Sequence, residues 1–179
     1  MIRLRGLGEC VIEVGGHTVT PDSGVLFALL LFLSSSAGRA IARNDVLELL
    51  WPDSAEDSAR HRLRQALYQL KKLGAPVTTP DSVISLRAAD VEVDYAVYAI
   101  DRHAVVRSVR EAVSFEYLPH YTPTFSPRFA RWVEAERDRV RCALRRYLLD
   151  AMTEGRARGR HEEVVALARA CLDLDPLNG

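Results

Sequence analysis

The stretch SARHRLRQALYQLKKLG, residues 58–74, decides the fold prediction for this chain. It contains five basic side chains and no acidic one, although the whole chain of 179 residues has a formal net charge of zero. Placed at 100° per residue, its apolar side chains form a single stripe along a helix. The stripe consists of Ala59, Leu63, Ala66, Leu67, Leu70 and Leu73. This pattern predicts an amphipathic helix over residues 55–73.

The face opposite this stripe is polar, and its charge is of one sign. It carries His61, Arg64, Gln65, Tyr68 and Lys72, flanked by Arg62 and Gln69 on one side and by Arg60 and Lys71 on the other. Solvated helices usually mix acids and bases, because each pair three or four residues apart stabilises the helix by about 0.2–0.5 kcal/mol. Here Arg60 and Arg64 repel each other, and no acid within the stretch offsets them. The face is that of a basic surface helix or of a helix that binds a polyanion.

A DNA duplex suits the second alternative, because its major groove admits one α-helix and presents the base edges to it. Arginine and glutamine can each form two hydrogen bonds to one base. The candidates for base contacts are therefore Arg62, Arg64, Gln65 and Gln69. The candidates for contacts to backbone phosphates are Arg60, His61, Tyr68, Lys71 and Lys72.

The sequence before this helix predicts a small sheet followed by a buried helix. Three short β-branched segments predict strands: IRLRGL (2–7), CVIEV (10–14) and HTVT (17–20). Gly15-Gly16 predicts a hairpin turn between the last two segments. Pro21-Asp22-Ser23 predicts the start of a helix that is apolar on nearly every side over residues 25–33 and therefore must be buried.

Residues 39–41 are expected to form an extended connector to a second helix, 44–50, which ends at Trp51-Pro52-Asp53. We expect Trp51 to be a buried plug where this helix meets the sheet. After residue 74, the segment VTTPDSVISL predicts two strands around a turn at Pro80-Asp81-Ser82.

From Tyr95 onward the pattern is mainly helical, with a proline-rich interruption at 118–129. Two further helices are predicted from residue 128 or 129 to about 154 and from about 161 to 172, with GRARGR, 155–160, as the loop between them. The sequence predicts a mainly α fold with small β content, in two domains, 1–90 and 91–179. Because Pro176 is expected to end a helix only three residues before the last residue, Gly179, we expect the helical domain to be truncated at the C-terminus.

Composition excludes several classes of protein. An apolar fraction of 48% with 27% charged residues is typical of globular chains, and the longest apolar run is far shorter than the roughly 20 residues of a membrane helix. We expect no membrane association. The three widely spaced cysteines, Cys10, Cys142 and Cys171, indicate a reducing, cytoplasmic location rather than a disulfide framework.

No catalytic or metal-binding pattern is present in the sequence, so we predict no enzyme activity, no cofactor and no metal site. His161-Glu162-Glu163 lacks a second histidine at helical spacing and is interpreted as a helix start. Cys142 shares a helical repeat with Leu149 and is expected to be in the core. Glu134, Glu136 and Asp138 alternate with arginines and are expected to form ion pairs along an exposed helix face.

Several blocks in order resemble the SARP-type bacterial transcriptional activators, whose DNA-binding half is an OmpR-like winged helix. IRLRGLGECVIEVGGHTVTP resembles the family's N-terminal sheet, GRAIARNDVLELLWPD its second helix, and SARHRLRQALYQLKKLG its recognition helix. VISL followed by VEVDYAVY is similar to the wing strand and the entry to the next domain. The chain from about residue 91 resembles the bacterial transcriptional activator domain, with its tetratricopeptide-like helices.

The resemblance implies a cytoplasmic, nucleoid-associated activator that places the helix 55–73 in the major groove of promoter DNA. It implies side-by-side protomers on direct repeats, a contact from Arg87 near the wing, and contact with RNA polymerase through the loop between the second and third helices. The acids of that loop are Asp53, Glu56 and Asp57. They are equally well placed to stabilise the N-terminus of the third helix, so the sequence leaves their role open.

Two departures from the family pattern support a different class of function. The segment TPDSGV at the start of the first helix lacks basic residues, and the wing, TPDSVISLR, is short and nearly neutral. The alternative is a protein-interaction module that keeps a winged-helix architecture and has lost DNA binding.

Overall fold

The N-terminal strands belong to a four-stranded sheet in the computed structural model, which describes residues 1–174 apart from the side chain of Arg102. The strands are β1 (Ile2–Arg5), β2 (Val11–Val14), β3 (His17–Val19) and β6 (Val91–Val93). They lie in the order β3-β2-β1-β6, antiparallel except that β6 runs parallel to β1. The three predicted N-terminal strands are confirmed, and β6 adds a fourth that the sequence analysis did not place in this sheet.

The predicted turn at Gly15-Gly16 is confirmed. Val14 faces His17 across the β2–β3 pair, so the two glycines form the whole turn, with φ of 56° and 81°. A Cβ atom at Gly15 would lie 2.0 Å from the carbonyl oxygen of Leu73. Glycine is therefore required at this position by both the backbone conformation and the close approach.

Three helices follow the first three strands: α1 (Val25–Ser35), α2 (Arg43–Leu50) and α3 (Glu56–Lys72). α1 packs against α2, α3, β1 and β2, and most of its side chains are buried, as its apolar sequence predicts. Trp51, directly after α2, is buried as expected, with 9% of its surface exposed. The predicted connector between α1 and α2 contains a short strand, β4 (Ala40–Ala42).

The hairpin predicted around Pro80-Asp81-Ser82 is partly wrong. The second half forms a strand, β5 (Val83–Ser85), but its strand partner is β4, with Ile41 opposite Ile84. The first half contributes an isolated bridge between Thr78 and Ser85. Proline has no N–H to donate to a ladder, which explains why pairing does not extend through Pro80.

The second half of the chain is helical. Its helices are α4 (Val97–Ile100), α5 (Arg102–Arg110), α6 (Pro127–Ala157) and α7 (His161–Leu174). α5 packs against α4 and α7. The described residues are therefore mainly helical with a small sheet, which confirms the predicted fold class at that level. The expected helix end at Pro176 lies outside the described residues.

The loop predicted over GRARGR, 155–160, is shorter than expected. α6 continues through Ala157, and the turn to α7 is confined to residues 158–160, with Gly159 at φ 68°. A Cβ atom at Gly155 would lie 2.9 Å from a methyl carbon of Val164. Gly155 therefore serves close packing of α6 against α7 rather than ending the helix.

The chain folds into two compact units, and each is built from separated segments. The first unit comprises residues 1–5, 10–93 and 120–134, and the second comprises residues 6–9, 94–119 and 135–179. The predicted domains, 1–90 and 91–179, are each continuous. The structure differs in placing β6 and the segment 120–134, which includes the first turns of α6, in the first unit.

Segment 120–134 supplies aromatic side chains to the core of the first unit. Tyr121 packs edge-on against Phe27 of α1, with ring centroids 5.0 Å apart, and Trp132 packs against Phe32 in the same way at 5.2 Å. Phe129 is fully buried between Tyr121 and Trp132. These contacts explain why a segment far along the chain belongs with α1.

Two expectations for α6 are corrected. Cys142 is exposed and so is Leu149, because the buried stripe of α6 runs through Val140, Leu144, Leu148 and Ala151 instead. Glu136, expected on an exposed face, is buried with 7% of its surface exposed. Its carboxylate accepts hydrogen bonds of 2.8 and 2.5 Å from Arg139, whose guanidinium also donates to the Tyr95 hydroxyl at 2.7 Å. Burial of this acid therefore depends on its arginine partner.

The second unit contains a network that fixes two loop segments. The carboxylate of Asp94 accepts the backbone N–H groups of Gly6 and Leu7, both at 2.7 Å. Burial raises the pKa of Asp94, although these N–H groups act in the opposite direction. Leu118 is fully buried with φ 51°, and its carbonyl accepts a 2.6 Å hydrogen bond from Arg137. Arg137 thus supports a left-handed conformation that leucine rarely adopts.

A buried hydroxyl in α1 gives the first testable prediction. Ser34 is 3% exposed, and its Oγ has no hydrogen-bond partner among the described residues. We expect Ser34→Ala to raise the free energy of unfolding by about 1 kcal/mol, because it removes an unsatisfied buried polar group and improves helix propensity. Urea titration would measure the change. Ser58→Ala, at an exposed position of α3, is the control for propensity alone, and a destabilising effect of Ser34→Ala would contradict the prediction.

Candidate nucleic-acid interface

The α3 helix has the two faces that its sequence predicts. Ala59, Leu63, Ala66, Leu67 and Leu70 are buried, and Leu73, just past the helix end, is half-buried. Because α3 packs against α1 and α2 along this stripe, its opposite face is left to solvent. The predicted buried face of α3 is therefore confirmed.

All ten residues predicted to contact DNA are exposed: Arg60, His61, Arg62, Arg64, Gln65, Tyr68, Gln69, Lys71, Lys72 and Arg87. Tyr68 is the most informative of these, because 70% of a large aromatic side chain is exposed on the middle of the helix. An exposed aromatic residue among basic groups can pack on sugars or donate to phosphates.

Three cations of this face have no acidic partner in the part of the chain that the structure describes. Arg62, Arg64 and Lys72 form no ion pair with any carboxylate in residues 1–174. The angular positions of Arg64 and Lys72 lie on the same side of the helix as Tyr68. These three residues leave the centre and one end of the outward face with uncompensated positive charge, which an anionic partner would neutralise.

The expectation that no acid offsets the positive charge of Arg60 is wrong. In the structure Arg60 forms an ion pair with Glu56, one turn earlier on α3. Glu56 precedes the basic stretch and lies in the first turn of the helix, where an acid is favourable. Both side chains are largely exposed, so the pair is weak, but it partly neutralises the N-terminal end of the face.

Arg87 and Lys71 are also engaged within the chain. Arg87 donates two hydrogen bonds to the carboxylate of Asp90, at 2.7 and 3.1 Å. The Lys71 ammonium donates to the Thr79 hydroxyl at 3.1 Å. Helical periodicity does not predict either contact, because Asp90 and Thr79 lie outside the helical stretch 58–74.

The acids predicted to contact RNA polymerase, Asp53, Glu56 and Asp57, are all exposed. Asp53 lies in the loop between α2 and α3, whereas Glu56 and Asp57 form the first turn of α3. Ala55, which caps that helix, offers no side-chain hydrogen bond, so the two helical acids are the groups that complement its N-terminus.

The end of α2 that precedes this loop is anchored by residues that the sequence analysis missed. The Ser126 hydroxyl donates to the carbonyl oxygen of Leu49 at 2.7 Å and accepts the N–H of Phe129 at 3.2 Å. Arg128 forms an ion pair with Glu48 at 3.2 Å. A serine just before a helix is a recognisable N-cap, but nothing in the sequence indicated that it also caps α2.

Comparison with known proteins finds no matching protein-family model and no matching curated protein. None of the helices in residues 1–174 is both long and apolar enough to span a lipid bilayer. The described side chains also contain no cluster of histidine, cysteine and acidic residues that could hold a metal ion.

Proposed function

We propose that this chain is a sequence-specific DNA-binding transcriptional regulator that inserts α3 into the major groove. The observation that carries the proposal is the exposed, one-signed face of α3, in which Arg62, Arg64 and Lys72 have no acidic partner within the described residues. The groove is about 12 Å wide and accepts a helix with its side chains. Arg62, Arg64, Gln65 and Gln69 contact bases, while His61, Tyr68 and Lys72 hold phosphates.

The resemblance to SARP-type activators extends the proposal. The first unit serves as an OmpR-like winged helix, and the helices of the second unit serve as a tetratricopeptide-like activator domain. The protein acts in the bacterial cytoplasm, on the nucleoid, as protomers side by side on direct repeats. Asp53 and Asp57 are exposed and belong to no ion pair in the described part of the chain, which leaves them available to RNA polymerase.

The proposal is tested by removing two of the unpaired cations. We expect Arg64→Ala combined with Lys72→Ala to leave the fold intact and to weaken binding to a promoter fragment from upstream of the protein's own operon. Because Lys72 is the phosphate contact of the two, the slope of log K against log salt becomes shallower by about one unit, and the loss of Arg64 lowers the affinity through its base contact. Gel-shift titration over a series of salt concentrations measures both effects.

Arg156→Ala combined with Arg169→Ala is the matched control. It removes the same charge from exposed positions on α6 and α7, outside the first unit. Unchanged DNA binding by the α3 variant, or equal loss in both variants, would reject α3 as the recognition helix.

At the turn Pro80-Asp81-Ser82, removal of a charge is expected to strengthen DNA binding rather than weaken it. Asp81 is exposed, has φ 45°, and forms no ion pair within residues 1–174. We expect Asp81→Asn to strengthen DNA binding by about twofold to fivefold at low salt, because it removes a negative charge near the phosphates while asparagine tolerates the same φ. Titrations at low and at high salt would show the gain and its loss by screening. Unchanged binding at low salt would place this turn away from the duplex and contradict the prediction.

The alternative, a protein-interaction module without DNA binding, is supported by the same turn. Asp81 is negative, and Arg87 is neutralised by Asp90, so this end of the first unit offers an anionic duplex little attraction. Absence of any shifted species at low salt, together with a protein partner recovered through the second unit, would favour this function.

A further inference from the structure

The bridge between Thr78 and Ser85 closes a loop of residues 79–84. The part of this loop before β5, residues 79–82, is here called the hairpin turn. Thr78 and Ser85 exchange two backbone hydrogen bonds, both of 3.0 Å, and their hydroxyl groups are 2.7 Å apart. The N–H of Val83 donates to the carbonyl oxygen of Pro80 at 3.0 Å. The base of the loop is therefore fixed by its own strand pair, but these bonds do not determine the direction in which its tip points.

Contacts from two helices determine that direction. From α2, the backbone N–H of Arg43 donates to the Ser82 carbonyl at 2.8 Å, and the Arg43 guanidinium approaches the Thr79 carbonyl at 3.5 Å. From α3, the Lys71 ammonium donates to the Thr79 hydroxyl at 3.1 Å. The Lys71 side chain therefore connects the edge of the outward face of α3 to the hairpin turn by a hydrogen bond.

The position of Lys71 on α3 determines where this hydrogen bond holds the hairpin turn. On the helical wheel Lys71 flanks the outward face, 60° from Tyr68 by the ordinary helix rotation of about 100° per residue. The hairpin turn is thus held beside the C-terminal end of the face that carries the unpaired cations. A shift of the turn would change how closely its Asp81 carboxylate can approach a duplex lying on α3.

We infer that Lys71 is a positioning residue, which fixes the hairpin turn beside α3 through the Thr79 hydroxyl, and not one of the phosphate contacts. This inference rests on the proposed DNA-binding function for its effect on affinity, but the contact itself is a property of the free protein. An ammonium group that donates to a neutral hydroxyl keeps its charge, so Lys71 still contributes to the positive potential of the face. Its geometric role requires the hydroxyl at position 79.

The first experiment uses the free full chain and measures amide hydrogen exchange. Thr79→Val removes the hydroxyl at nearly constant shape, and Lys71→Met removes the ammonium at nearly constant length. We expect both to speed exchange of the Val83 and Arg43 amides by about threefold to fivefold, as for the loss of one exposed polar contact. Thr79→Ser and Lys71→Arg retain a hydroxyl and a donor, respectively, and are expected to restore slow exchange. Unchanged exchange in Thr79→Val would overturn the inference.

The second experiment is a double-mutant cycle on DNA binding with Lys71→Met and Thr79→Val. If Lys71 acts through Thr79, Thr79→Val changes the affinity about threefold without changing the salt slope, and it has no further effect when Lys71 is already methionine. A phosphate contact predicts the opposite: full affinity in Thr79→Val and a slope about one unit shallower in Lys71→Met. That second pattern would overturn the inference while leaving DNA binding intact. If the wild-type chain binds no DNA, the exchange experiment still decides whether Lys71 holds the turn.

Discussion

Replacing Phe129 by alanine is expected to lower the free energy of unfolding by about 3–5 kcal/mol, the range for an aromatic side chain removed from a packed core. Phe129 is 0% exposed. Its ring is stacked on Trp132 and on Phe125, with centroids 5.2 and 5.6 Å away, and meets Tyr121 edge-on at 6.4 Å. Since Trp132 and Tyr121 in turn contact the phenylalanines of α1, the cavity would open at the centre of the first unit.

Urea titration monitored by tryptophan fluorescence is the appropriate measurement, because Trp132 reports on the cavity directly. Phe125→Ala is the matched control. The Phe125 ring also stacks on Phe129 but is 38% exposed, so its removal is expected to cost only about 1 kcal/mol. Equal effects of the two substitutions would mean that segment 120–134 is not an integral part of the first unit in solution.

The composition of the first unit also shows what local patterns could not predict. The strands at β1–β3, the glycine turn and the helices α1–α3 follow from short-range periodicity, and the structure confirms them. The sequence predicts segment 120–134 as part of a separate helical domain, where it covers most of a proline-rich interruption, 118–129, and the start of a helix at residue 128 or 129. Its place depends on Tyr121 and Trp132 meeting Phe27 and Phe32, about a hundred residues earlier, and no periodic pattern encodes such a pairing.

The same limit applies to α6. Cys142 and Leu149 are seven residues apart and satisfy a helical repeat as well as the stripe through Val140 and Leu144 that is in fact buried. Periodicity identifies candidate stripes but cannot choose between them when both contain apolar residues. Burial of Glu136 was missed for a related reason, because its hydrogen bonds to Arg139 appear in sequence as an ordinary surface pair three residues apart.

The candidate interface was predicted more completely, because it lies on a single helix. Exposure of every residue chosen from α3 follows from the amphipathic pattern. What the pattern could not show is which cations are already engaged. The partners of the engaged cations all lie outside the basic stretch 58–74. Arg60 pairs with Glu56, Lys71 donates to Thr79, and Arg87 pairs with Asp90.

The other large effect is expected at Gly6 in the second unit. A Cβ atom at this position would lie 2.2 Å from Cε2 and 2.7 Å from Cδ2 of Tyr117. Tyr117 is 5% exposed and packs edge-on against Tyr95 at 5.6 Å, so its ring has little room to retreat. The backbone of Gly6 is fixed as well, since its N–H donates to Asp94 and its carbonyl accepts the N–H of Leu118, both at 2.7 Å.

We therefore expect Gly6→Ala to destabilise the protein by about 3 kcal/mol, at the upper end of the range for overpacking a rigid site. Thermal and urea unfolding of the full chain would measure the loss. Gly16→Ala is the control, because Gly16 has φ 81° but a Cβ atom added there would meet no described atom within 4 Å, so backbone strain alone should cost about 1 kcal/mol.

A double-mutant cycle distinguishes a clash with the Tyr117 ring from restraint of the Gly6 backbone as the cause of this loss of stability. If the Tyr117 ring is the obstacle, Gly6→Ala adds little to the loss already caused by Tyr117→Ala, and the two substitutions are strongly non-additive. Additive losses would instead place the difficulty in the backbone that Asp94 and Leu118 hold. A loss for Gly6→Ala no larger than that for Gly16→Ala would contradict the packing of Tyr117 against this loop altogether.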